Sequence, residues 1–125
     1  MFKDWPNVAA RLLAPLRELR AGAPDTMKSF SAMAHAALEP RALDAKHKEL
    51  IALAISVATR CDGCIAFHAE AAAKHGASRD EIMETMSMAI YMGAGPSVMY
   101  AAQALEAFDQ FAAPKDVKQR EGVIP

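Results

Sequence analysis

Cys61 and Cys64 are the only cysteines in this 125-residue chain, and His68 follows four residues after the second. On a helix, at about 100° per residue, the three positions fall within an arc of about 60°, so two sulfurs and an imidazole face the same way. Three uses fit such a set. A Cys-x-x-Cys pair can cycle between dithiol and disulfide, with the imidazole taking the thiol proton. The same donors can hold zinc, with His47, His75 or Glu49 as the fourth ligand. The sulfurs can also be small apolar packing groups, with His68 an ordinary satisfied side chain.

Local sequence favours the first use. Asp62-Gly63 suits a turn, which places Cys61 at or just before the amino end of a helix. There, unpaired backbone donors and the positive end of the helix dipole stabilise a thiolate. Glu49, twelve residues earlier, stands at the mouth of an apolar run from Leu50 to Thr59. If its helix and the next pack as a hairpin, its carboxylate can pass protons to the imidazole or a sulfur, although a glutamate near a helix start also serves the dipole alone. Structural zinc sites usually bring a second well-spaced ligand pair. This chain has none, so no metal and no cofactor is expected.

The elements that must position these residues read as helices. Val8, Leu12, Leu13, Leu16 and Leu19 recur at three- and four-residue steps over about 5–20, with Pro15 expected to kink or divide the helix. Gly22 and Pro24 then separate it from a helix reaching Leu38, with Met27, Phe30, Ala34 and Ala37 as its apolar face. Asp44 caps a third helix, Ala45 to about Arg60, apolar almost all round and so expected to run through the core. A short fourth helix, Cys64 to His75, ends at Gly76. Ser78 and Glu81 form a capping box for a fifth, reaching Met92, with Ile82, Met83, Met86, Ala89 and Ile90 inward. After Gly93-Ala94-Gly95-Pro96, a sixth runs from about Ser97 to Phe111 through Met99, Ala102, Leu105 and Phe108. The expected fold is all-α, about six helices in one domain over 1–112, with 113–125 a tail or a strap onto a neighbouring subunit.

Composition narrows the partners. A net charge of −1, with no basic run, gives no footprint for nucleic acid or anionic lipid. The longest apolar run is about half the ~20 residues a membrane span needs. Met1 to Pro6 carries a charge of each sign and lacks the apolar core of an export signal, so a cytoplasmic setting is expected. There a Cys-x-x-Cys pair is catalytic or metal-binding rather than a permanent brace. Small Ala and Met faces exceed what one core of this size absorbs, which points to a homo-oligomer.

Four segments together resemble the AhpD-like branch of the carboxymuconolactone decarboxylase family. They are Lys48 to Ala54, Cys61-Asp62-Gly63-Cys64 with His68, the cap before Glu81, and Met92 to Ala102, and the resemblance spans about Asp44 to Phe111. It implies an all-helical fold assembled as a trimer or hexamer. It also implies a disulfide-cycling site in which Glu49, Cys61, Cys64 and His68 match the family's glutamate, cysteines and histidine. The activity implied is alkylhydroperoxidase or disulfide reductase, acting on a peroxide or disulfide and recharged by a protein or small-thiol reductant. Residue 63 is glycine where related motifs often carry histidine or an aromatic residue, so no side chain at 63 relays protons or shields the sulfurs. Two other readings remain at this point: a non-redox, decarboxylase-like reaction on a small organic acid, and a non-enzymatic oligomerising or zinc-held module.

Overall fold

A computed structural model describes residues 1–113. These form six helices in chain order: α1 Trp5–Gly22, α2 Pro24–Leu38, α3 Ala45–Ala58, α4 Asp62–Lys74, α5 Arg79–Gly93 and α6 Gly95–Ala112. The all-α expectation holds, and there is no strand among the described residues. The proposed tail at 113–125 falls outside them but for Ala113. No helix among the described residues is long and apolar enough to cross a membrane.

Helix limits follow local chemistry. The Asp44 carboxylate accepts the His47 N–H at 2.8 Å and so caps α3. At α5 the Ser78 hydroxyl accepts the Glu81 N–H at 3.1 Å while Glu81 accepts the Ser78 N–H at 2.9 Å, the reciprocal box read from sequence. Gly76, at φ 82°, ends α4 in the left-handed region, where glycine carries no Cβ penalty.

Helices α3, α4, α6 and α5 pack in a ring around one core, with α1 laid across α4 and α6 and α2 touching only α1 and α3. The core is Leu50, Leu53 and Val57 of α3, Ile65, Ala66, Ala69 and Ala72 of α4, Ile82, Met86 and Ala89 of α5, and Ala101, Ala104, Ala107 and Phe108 of α6. Trp5 and Ala9 close it from α1. Alanines dominate the inner faces of α4 and α6, and such short side chains let helix axes approach closely.

Several sequence expectations need correction. Helix α1 runs through Pro15 undivided; Pro15 and Arg11 are both exposed, so the carbonyl deprived of its donor faces water. Helix α2 fully buries no residue; on its expected apolar face Met27 and Ala34 are half-buried while Phe30, 57% exposed, and Ala37 are open. Helix α3 is not buried all round, because Ile51 and Ile55 face outward. On α5, Met83 is exposed rather than inward. On α6 half of the expected stripe holds: Phe108 is buried and Leu105 packs against the core, whereas Met99 and Ala102 are exposed and Ala101, Ala104 and Ala107 are buried. In α3, α5 and α6 the apolar pattern is wider than the face that the chain's own core covers, so residues at its margin stand exposed.

The amino-terminal segment is tied down by one carboxylate. Glu106 of α6 accepts the Phe2 N–H at 2.7 Å, the Lys3 N–H at 2.8 Å and the fully buried Trp5 indole N–H at 2.9 Å. Burial by itself would raise the Glu106 carboxyl, but these three donors outweigh it and hold the group below its ordinary value. A depressed carboxyl stabilises the docked state above the ordinary glutamate value of about 4.3, and that contribution is lost as pH falls through the lower folded value. Emission from Trp5, the single tryptophan, should therefore stay blue at neutral pH and move to the red only below about pH 4. Glu106→Gln should be red-shifted at neutral pH. Emission that tracks only global loss of helix by circular dichroism would contradict this assignment.

Candidate active site

The corner between α3 and α4 is three residues long, and Cys61 belongs to both helices. Past the end of α3, the Arg60 N–H donates to Val57 O at 3.1 Å and the Cys61 N–H to Ser56 O at 3.0 Å, closing the helix with Arg60 left-handed at φ 57°. Cys61 is then the N-cap of α4: its sulfur accepts the Cys64 N–H at 3.3 Å and its carbonyl accepts the Ile65 N–H at 2.9 Å. Helix α4 thus starts at Asp62, and Asp62-Gly63 is its first turn rather than a separate turn before it. The expected position of Cys61 at the helix start is what the structure contains.

Cys61 and Cys64 are joined as a disulfide, with their Cα atoms 5.2 Å apart. Both residues are half-buried. A helix start of this kind brings two residues three apart within bonding reach, and it leaves the capping sulfur facing backbone donors.

Glu49 and His68 meet across α3 and α4. Nδ1 of His68 lies 2.7 Å from Oε2 of Glu49, whose side chain is 8% exposed against 30% for the histidine. The carboxylate sits in the apolar wall and the imidazole stands between it and the surface. With Nδ1–H donated to the carboxylate, Nε2 is the ring nitrogen left to exchange a proton. His68 also lies one helical turn beyond Cys64, the spacing at which side chains on one face are neighbours. The structure thus joins the four residues in two pairs, Cys61 with Cys64 at the α3–α4 corner and Glu49 with His68 across the same two helices.

His47 and His75 lie at helix ends away from this pair. His47 pairs with Asp44 at the start of α3, Nδ1 to Oδ1 2.6 Å, and first its backbone N–H, then its ring, hold the Asp44 carboxyl below the ordinary value. His75 is the C-cap of α4. Among the described residues no three His, Cys, Asp or Glu side chains converge on a point that would hold a metal ion.

Two contacts at the site were not foreseen. Lys3 reaches Asp62, Nζ to Oδ2 2.6 Å, and Cδ1 of Leu12 lies 2.9 Å from where a Cβ on Gly63 would sit. The glycine is thus matched to α1: any side chain at 63 would force Leu12 aside. Both contacts join residues about fifty or sixty positions apart, and no local pattern signals them.

The chain is similar to known proteins in sequence and in fold. A sequence model of the carboxymuconolactone decarboxylase family matches residues 24–107. The crystal structure of an apo carboxymuconolactone decarboxylase family protein from Legionella pneumophila superimposes with a TM-score of 0.84 at 47% identity, covering 87% of this chain and 97% of that one. An uncharacterized protein of Haemophilus influenzae is 42% identical over 108 residues, 86% of this chain and 96% of its own length. Another uncharacterized protein, from Cupriavidus necator, is 42% identical over 86 residues, 69% of this chain and 76% of its own.

Proposed function

The chain belongs to the carboxymuconolactone decarboxylase family, and from that premise we propose that it is a thiol-disulfide oxidoreductase of the AhpD-like branch that reduces organic hydroperoxides. The observation that carries this reading is the Cys61–Cys64 disulfide at the start of α4, one turn from an imidazole held by the buried Glu49. In the reduced protein Cys61 is the attacking thiolate, because its sulfur already accepts a backbone N–H at the positive end of α4. His68 takes and returns the proton, and Glu49 orients the ring and offsets its charge.

The chemistry balances in two steps. The Cys61 thiolate attacks the outer peroxide oxygen, the O–O bond breaks, Cys61 becomes a sulfenic acid, and the alkoxide leaves as an alcohol after taking a proton. Cys64 then attacks the Cys61 sulfur, forming the disulfide and releasing water. A dithiol, protein or small molecule, returns the disulfide to two thiols through a mixed disulfide. A cytoplasmic setting, where such reductants are kept charged, belongs to this reading.

The same reading includes assembly into a trimer or hexamer. Tyr91 is 78% exposed and Met92 75%, and they stand with exposed Ile51, Ile55 and Met88 on the outer surfaces of α3 and α5. Exposed Phe30 and Met33 add a second apolar surface on α2, a helix that fully buries no residue within its own chain. Contiguous apolar surface of this kind marks contact with another chain.

Single-turnover consumption of cumene hydroperoxide by the reduced protein tests the chemistry. Cys61→Ser should abolish it, Cys64→Ser should leave a sulfenic acid trapped at Cys61, and Glu49→Gln or His68→Asn should each slow it by about 100-fold. Loss of activity in none of these variants overturns the assignment. Turnover of a small organic acid by the Cys61→Ser, Cys64→Ser double variant would instead support acid-base chemistry on the Glu49–His68 pair. Sedimentation should find three or six chains per particle, and a uniform monomer would contradict the assembly.

A further inference from the structure

Both residues between the two cysteines are held by the first twelve residues of the chain. Leu12 packs on Gly63, and the Lys3 ammonium donates to Asp62 Oδ2 at 2.6 Å and to Gln103 Oε1 at 2.8 Å. Lys3 is not a loose surface lysine. Its backbone N–H is bound by Glu106, its carbonyl accepts from Gln110 Nε2 at 2.7 Å, and its ammonium lies 5.3 Å from the Trp5 ring and 5.4 Å from the Phe2 ring. These contacts hold the cation in place before it meets Asp62, so little side-chain entropy is lost in forming the pair.

Asp62 occupies an awkward position for thiol chemistry. As the first residue of α4 its carboxylate complements the helix dipole. It is also next in sequence to Cys61, and a negative charge there opposes formation of a thiolate. Of the other charged groups near the corner, Glu106 of α6 is bound by three donors from the amino-terminal segment and Glu49 of α3 is paired with His68, while Arg60 is solvent-exposed. Lys3 is the group that answers Asp62.

We propose that Lys3 is a positioning residue for Cys61: by neutralising Asp62 it keeps the amino end of α4 electropositive and raises the fraction of Cys61 present as thiolate. The use of this effect rests on the redox reading above, but the effect is a property of the thiol itself. Lys3 and Asp62 side chains are 31% and 41% exposed, so solvent screens the pair and its influence is a factor of a few rather than orders of magnitude.

The test uses reduced full-length protein carrying Cys64→Ser, so that one thiol titrates. Ultraviolet thiolate absorbance against pH, and the rate of alkylation by iodoacetamide at neutral pH, are compared across variants. Lys3→Met should move the Cys61 midpoint upward and slow alkylation about threefold; Lys3→Arg should keep the parent values. Asp62→Asn should move the midpoint downward, and Lys3→Met added to Asp62→Asn should have a clearly smaller effect than on the parent. The Asp62→Asn arm stands by itself if Lys3→Met fails to fold. An unchanged midpoint in Lys3→Met or Asp62→Asn, an arginine variant that behaves like methionine, or an undiminished Lys3 effect without Asp62 would each overturn the proposal. Peroxide never enters this measurement. A shifted midpoint without peroxide turnover would remove the redox reading alone, and turnover with an unmoved midpoint would remove this one alone.

Discussion

Cys61 donates its backbone N–H to the last turn of α3 and accepts, through sulfur, an N–H from the first turn of α4. The rest of the site depends on that double attachment. A corner of three residues cannot let the helices swing apart, so α3 and α4 run back along one another from the point where the cysteines sit. About two turns up α4 and three turns down α3 from Cys61, His68 and Glu49 come into register at 2.7 Å. Burying a carboxylate in an apolar wall costs free energy unless a partner satisfies it, and the imidazole is that partner. The pair therefore ties α3 to α4 along the hairpin whose corner carries the disulfide.

Packing around this hairpin separates small residues from large ones. Alanines line the contact between α4 and α6, while methionine, isoleucine and tyrosine side chains occupy the outer faces of α3 and α5. An alanine contact gains little apolar area per residue, so α4 and α6 approach closely at small gain while much apolar surface of α3 and α5 stays exposed.

What could be read from the chain was whatever chemistry is local. Asp44, the Ser78–Glu81 box and Gly76 mark helix ends by side chains acting on backbone three or four residues away, and each lies where the pattern placed it. Cys61, Cys64 and His68 share a helical face by spacing alone. Glu49 needed the hairpin assumption, which the corner justifies. The end of α3 was placed two residues late because Arg60, not glycine, takes the left-handed position, and arginine gives no stop signal. On α6 the expected face held at Leu105 and Phe108 but not at Met99 and Ala102, because alanines at 101, 104 and 107 pack inward and carry too weak an apolar signal to mark that face. Lys3 on Asp62 and Leu12 on Gly63 depend on how α1 lies across α4, which only the folded chain reveals.

These observations describe a disulfide at a helix start, a Glu49–His68 pair across the same two helices, and a Lys3–Asp62 pair beside the cysteines. The central claim is that Cys61 and Cys64 exchange two electrons with a hydroperoxide. The most direct measurement gives one equivalent of hydroperoxide to anaerobically reduced protein and determines, by thiol labelling and peptide mass, what becomes of both sulfurs. The account predicts the loss of two thiols per chain, a Cys61–Cys64 link, and one alcohol formed for each disulfide. Two free thiols beside unconsumed hydroperoxide would contradict it.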